Sequence, residues 1–163
     1  MKELLLQYAQ YNVWANKLII DTLLKLEAGA TEREIVSSFS SVRATAAHIW
    51  SAEYIWLQRL QLAEHPVWEG DSTVSFEEIA TKWQQVSASL VQFVEKQYDD
   101  KAFEHVLQFY DRQKVSYKMP VFQVLQHVFN HSTMHRGQLI MMLRQLGVTK
   151  IPGTDFIGFA RGK

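Results

Sequence analysis

The sequence contains no cysteine. That excludes disulfides, thiolate-built zinc sites and any nucleophilic thiol of the protein itself. It also lacks a charge surplus: 17 Lys and Arg face 17 Asp and Glu, for a formal net charge of zero. A nucleic-acid-binding domain normally shows a basic excess, so nucleic acid is not an expected partner. No run approaches the roughly 18 apolar residues of a transmembrane helix, and no membrane partner is expected. Met1-Lys2-Glu3 followed by only Leu4-Leu5-Leu6 is too short an apolar run for a secretory leader. On these grounds the chain is read as complete and cytoplasmic. Glycine and proline are scarce, seven and three in 163 residues, which predicts long uninterrupted elements.

What is present is apolar and aromatic. Hydrophobic residues make up 47% of the chain and aromatics 12%, enough to build a core and to exclude a disordered chain. With no repeat, linker or low-complexity stretch, residues 1–163 are expected to form one domain.

Helical spacing dominates. Residues 3–27 carry Leu4, Tyr8, Tyr11, Ala15, Leu18, Ile19 and Leu23 on one stripe and are expected to stop at Gly29. Thr31 to Glu34 reads as a short capped turn. A second helix is predicted over 41–63, capped by Ser40 or Ser41 and ended before Pro66. Ser75-Phe76-Glu77-Glu78 forms a capping box for a third, with Phe76, Ile79, Trp83, Val86, Leu90 and Phe93 as its stripe. Residues 103–118 alternate on either side of the polar run Asp111-Arg112-Gln113-Lys114, the pattern of a small β-hairpin insertion. Pro120 suits the first turn of a fourth helix, which runs to Leu146 and ends at Gly147. The Gly- and Pro-containing tail is expected to be non-helical. The fold class is therefore all-α, a four-helix bundle with a β-hairpin between helices 3 and 4. Trp14, Trp50, Trp56 and Trp83 read as core residues, as does the Met141-Met142 pair. Gly137, in mid-helix, reads as a point of close approach by a neighbouring segment.

With no cysteine, any metal must be held by nitrogen and oxygen, and the six histidines become the informative residues. His127, His131 and His135 lie four apart on the fourth helix, so consecutive pairs share a face with Cβ atoms about 5–6 Å apart. Two imidazoles so placed can share one divalent ion at about 2.0–2.1 Å each. All three cannot easily do so, because His127 and His135 are about 12 Å apart along the axis. His135 falls near the centre of the helix's apolar arc, His131 further out and His127 at the edge. His131 and His135 are therefore the better pair, because bundles build metal sites in their interiors. His127 is then a rim residue. A third ligand must come from another element. His48 qualifies, because Ala52 and Ile55 on its face point it inward; His65 and His105, placed in a loop and at the hairpin, are weaker. Three histidines leave a position open, the mark of a catalytic rather than a structural site. Asn12, inside the apolar arc of the first helix, and Gln138, beside His131 by helical angle, can orient a ligand or substrate by hydrogen bonding. The alternative for each is a structural hydrogen bond, and an isolated His-x3-His pair also occurs without metal. The conjunction with His48 is what points to a metal. No Glu-x-x-His, H-E-x-x-H or phosphate-loop motif is present.

These residues resemble a known family. His127-Val128-Phe129-Asn130-His131-Ser132-Thr133-Met134-His135-Arg136-Gly137-Gln138 is similar to the last-helix motif of the DinB/YfiT-like family of metal-dependent bundles. Tyr11-Asn12-Val13-Trp14-Ala15-Asn16, the segment from His48 to Leu57, and the tail from Pro152 to Ile157 extend the likeness over nearly the whole chain. The resemblance implies an up-down-down-up bundle, a divalent metal (nickel or zinc) on His48, His131 and His135, and a homodimer. Many relatives carry histidine where this chain has Met134, a position that is not a ligand. Some relatives are thiol-dependent transferases or isomerases acting on small molecules. The resemblance thus implies a metal-dependent enzyme using a low-molecular-weight thiol, which this cysteine-free chain must receive as a cofactor. The alternatives are a non-catalytic metal-binding module, and a hydrolase that needs no thiol.

Overall fold

The structure, a computed structural model, describes residues 1–70, 73–111 and 113–162. Four long helices, α1 (Lys2–Leu23), α2 (Val42–Leu60), α3 (Phe76–Lys96) and α4 (Val121–Gln145), form a bundle. An antiparallel hairpin, β1 (Val106–Tyr110) and β2 (Ser116–Pro120), lies between α3 and α4, and a short α5 (Phe156–Ala160) follows.

Local chemistry sets the helix ends. Ser41, not Ser40, caps α2, its Oγ accepting from Ala44 N at 3.1 Å. Ser75 caps α3 by accepting from Glu78 N at 3.2 Å. Such caps satisfy amide groups that the first turn leaves without partners, worth about 1 kcal/mol each. Gly147 takes φ 86° just beyond α4, a conformation that costs a residue with Cβ. The expected stripe of α3 is the buried one: Phe76, Ile79, Trp83, Val86 and Leu90 all face the core, with Phe93 packed at its edge. Each such side chain contributes roughly 1.5–3 kcal/mol through burial.

Cross-helix pairs fix the directions. Lys2 of α1 meets the end of α3 at Glu95 O (2.8 Å), while Asn16 meets Ser87 (2.9 Å), so α1 and α3 are antiparallel. Trp50 lies under Lys82 and Glu53 bonds Ser87, so α2 and α3 are parallel. Thr45 touches Met142 and Glu53 bonds Ser132, so α2 and α4 are antiparallel. The result is up-down-down-up. The hairpin is the connection that lets α3 and α4 occupy diagonal corners. It is tied to the start of α4 by Val121 N donating to His105 O at 2.9 Å.

Several expectations are corrected. Helix α1 ends at Leu23, six residues before Gly29, whose φ of 80° instead turns the chain into a 3₁₀ turn at Ala30–Glu32. The tail is not wholly irregular: α5 docks on α1, with Phe156 stacked on Tyr8 (5.3 Å between centroids) and Phe159 edge-on to Tyr11 (5.8 Å). Five residues containing Gly158 are too few to show a helical period, and aromatic contact with α1 supplies what propensity does not. Trp83 and Trp50 are core, but Trp14 and Trp56 are half-buried and lie against α5 and the hairpin respectively. Met142 is buried whereas Met141 is exposed. A Cβ at Gly137 would meet nothing within 4 Å among the described residues, so no segment approaches there.

Candidate metal centre

Because α2 and α4 are antiparallel neighbours, the second turn of α2 faces the middle of α4. His48 is thereby brought to His131 and His135. His131 Nε2 is 3.1 Å from His48 Nε2 and 3.1 Å from His135 Nε2. One donor atom from each ring lies within 4.8 Å of the other two. Two nitrogens bound to one tetrahedral ion at about 2.0–2.1 Å are about 3.4 Å apart, so the spacing suits a shared divalent ion.

The tautomer of His135 follows from its partner. Its Nδ1 is 2.7 Å from Gln138 Oε1, and Gln138 Nε2 donates to Ser38 Oγ at 3.0 Å. The amide nitrogen is thus taken, its oxygen faces His135, and Nδ1–H donates to it. His135 Nε2 therefore presents a lone pair to the cluster. A proton on His131 Nε2 can point at one neighbour at a time, so at least one pair of nitrogens meets without a bridging proton, unless a cation sits between them.

His131 also resists protonation. Burial first, then repulsion from His135, His48 and His127, push His131 down to about 3. His135 is buried, and His48 and His131 are half-buried, so the cluster is reached from one side. Aromatic rings wall that side. Phe39 lies 4.4 Å from the His48 ring and 5.7 Å from His135, and Trp68 lies 5.6 Å from His48.

His127 stands at the rim, outside the triad, with its ring 5.8 Å from His131 and 5.2 Å from Trp56. Burial, then the charge of Arg59, lowers its pKa. His65 is exposed beside Glu64, and His105 meets the start of α4 through its carbonyl; among the described residues neither joins the cluster. Met134 is on the exposed face of α4.

Asn12 lies elsewhere than at a histidine. It belongs to a buried network that the sequence reading did not assemble. Glu53 Oε1 accepts from Asn12 (2.8 Å), Asn16 (2.9 Å) and Ser132 (2.8 Å), and Oε2 accepts from Ser87 (2.6 Å). Arg136 Nη1 donates to Asn12 Oδ1 (2.6 Å) and Asn16 Oδ1 (2.7 Å), and Nη2 donates to Thr133 (2.8 Å). All four long helices contribute. The available signal was spacing: Asn12 and Asn16 are four apart, and Ser132 and Arg136 each follow a triad histidine by one residue. Burial lowers the Arg136 pKa, with Tyr11 and Glu53 opposing that effect.

An up-down-down-up bundle with a three-histidine cluster between its second and fourth helices defines a class of protein that can hold a metal ion in its interior. The chain belongs to the DinB family, whose family model matches residues 1–163. It is 28% identical to protein DinB of Bacillus subtilis (strain 168) over 165 residues, covering 96% of this chain and 93% of that protein. Two crystal structures share the fold. A DinB-like protein from Bacillus cereus ATCC 10987 superposes with a TM-score of 0.73 at 24% identity, covering 91% of this chain and 94% of that one. The DinB-like protein YjoA from Bacillus subtilis superposes with a TM-score of 0.67 at 13% identity, covering 91% and 98%. No described helix is long and apolar enough to cross a membrane.

Proposed function

We propose that His48, His131 and His135 hold one divalent metal ion, nickel or zinc, through their Nε2 atoms, and that the site serves an enzyme using a low-molecular-weight thiol. The convergence of three Nε2 atoms on one point carries the metal reading. A metal held there supplies Lewis acidity, favouring the deprotonated form of a thiol or water offered to it. The chain's own groups do the rest. Gln138 holds His135 in the tautomer that aims Nε2 inward. Phe39 and Trp68 limit water at the open side and give an apolar flank to a substrate. With no cysteine in the chain, the thiol must be a bound molecule. A homodimer acting on a small molecule in the cytoplasm is the setting that the family resemblance suggests.

Elemental analysis of protein purified without chelator tests the metal. Wild type should carry near-stoichiometric nickel or zinc, and His48→Ala and His131→Ala should lose it. Metal-free wild type would remove the basis of the reading. Turnover of an electrophile with added thiol, abolished by chelation, supports the enzyme. Metal binding without turnover leaves a non-catalytic module, and turnover without added thiol indicates hydrolysis.

A further inference from the structure

Beyond the triad, the wall leading from it toward the hairpin holds a cation without an acid. His48, Ala52, Ile55 and Arg59 follow one another along one face of α2, and Arg59 lies about 16 Å from His48 along the helix. The Arg59 guanidinium stacks over Trp56 at 4.5 Å and approaches the Phe109 ring at 5.1 Å. Trp56 in turn meets His127 at 5.2 Å, and His127 meets His131 at 5.8 Å. A continuous line of rings thus joins Arg59 to the triad.

Among the described residues, only one of the five N–H donors of Arg59 is accounted for, by Nη2 donating to Tyr110 O at 2.9 Å. No carboxylate lies within salt-bridge distance of it among the described residues. It lines a cleft of about 450 Å³ with Ile55, Pro66, Leu107, Phe109 and Tyr110. Two acidic residues line the same cleft, and neither neutralises it. Asp111 Oδ1 accepts from Gln113 N and Val115 N of the hairpin turn, both at 2.9 Å, and the Glu64 side chain is 90% exposed. Stacking on two rings holds the guanidinium plane, which presents its remaining donors as a preformed fork for a carboxylate or phosphate.

We propose that Arg59 is an anion-binding subsite that holds the acidic end of the thiol while its sulfur reaches the triad. This rests on the thiol reading above and narrows it to thiols carrying a carboxylate or phosphate set apart from the sulfur. Simple neutral thiols would reach the triad and leave Arg59 untouched.

The test uses full-length protein loaded with cobalt(II), whose thiolate charge-transfer absorption reports thiol binding without requiring turnover. The probes are glutathione (carboxylates), coenzyme A (phosphates) and 2-mercaptoethanol (no anion). In wild type at least one anionic thiol should bind about tenfold or more tighter than 2-mercaptoethanol, the worth of a charged hydrogen-bonded pair. Whether glutathione or coenzyme A holds the advantage separates a carboxylate from a phosphate. Arg59→Gln should abolish that advantage while leaving 2-mercaptoethanol binding unchanged, and Arg59→Lys should retain part of it. Unaltered binding of the anionic thiols by Arg59→Gln would overturn the subsite and leave the thiol reading standing. Equal loss for all three probes would overturn it too, because Arg59 would then support the fold. No charge-transfer band with any thiol, in protein that holds cobalt, would overturn the thiol reading itself and the subsite with it.

Discussion

Glu53 and Arg136 are joined through two amides rather than face to face. Asn12 and Asn16 each donate to Glu53 Oε1 and accept from Arg136 Nη1. The carboxylate comes from α2, the guanidinium from α4 and both amides from α1, so one charge pair ties three helices; Ser87 adds the fourth. Both ions are almost fully buried, Glu53 at 0% and Arg136 at 1% exposure. Desolvation of two buried charges is costly, and their mutual attraction offsets it only when the remaining lone pairs and protons are satisfied. Here the amides relay the charge, and Ser132, Ser87 and Thr133 add further bonds, while Arg136 Nε has no hydrogen-bond partner among the described residues.

Breaking this brace from one side should be worse than removing it. Glu53→Ala leaves Arg136 buried and uncompensated, with an expected loss of about 3–5 kcal/mol. Glu53→Leu combined with Arg136→Met should cost clearly less than the sum of the two single changes, because neither charge is then stranded. Urea denaturation of wild type, Glu53→Leu, Arg136→Met and the double variant measures the coupling directly, and Glu53→Ala is compared with wild type in the same way. Additive losses would mean that the two ions act independently.

The bundle was legible because its helices advertise themselves: stripes at a 3.6 period, serines at helix starts, and glycine after α4. The hairpin showed in its alternation. The α4 histidine pair was legible from arc position alone, and His48 from the small residue one turn on. The brace was not, although Asn12 stood out as polar on an apolar stripe. Periodicity reports which face of a helix turns inward, not which inward polar groups meet across the bundle. Its six main members lie on four helices whose corner order no spacing reveals. Helix α5 escaped for a different reason: its stability comes from Tyr8, Tyr11 and Trp14 of α1, not from its own five residues.

Metal-free protein should lose stability on acidification in a defined window. The pKa of His131 falls from an ordinary 6.5 to about 3 on folding. Between those values the unfolded chain binds a proton that the folded chain excludes, so stability rises with pH there. The contribution is complete above about 6.5 and is lost as pH falls toward about 3. Urea midpoints of chelator-treated protein at pH 7.5, 5.5 and 4 should decline in that order. His131→Ala should flatten the decline. Equal slopes in the two proteins would place the acid sensitivity elsewhere.

Gln138 touches a proposed ligand only through its non-ligating nitrogen, so its replacement isolates orientation from coordination. Gln138→Ala removes the acceptor at 2.7 Å from His135 Nδ1 and frees the ring to rotate or change tautomer. Metal affinity should fall about 10–100-fold, the usual cost of losing such a partner. Gln138→Glu keeps an acceptor there and should retain most of the affinity. Competition against a chromophoric chelator gives both numbers. An alanine variant with wild-type affinity would show that packing by Phe39 suffices to aim the ring.

Metal should stabilise the fold without being required for it. The helices bury a continuous core that excludes the triad, from Leu5 on α1 to Leu143 on α4, so the metal-free chain should fold. An ion that binds only the folded state adds RT ln(1 + [L]/Kd), about 2.7 kcal/mol at a hundredfold excess over Kd. Thermal unfolding should therefore shift upward with added zinc or nickel and return on chelation. In His48→Ala the shift should vanish while the metal-free midpoint stays near that of wild type, because this half-buried ring at the α2–α4 seam carries little of the core. The two measurements separate the cluster's roles. A midpoint that drops without added metal means the histidines are structural, whereas a lost metal response alone means they are ligands.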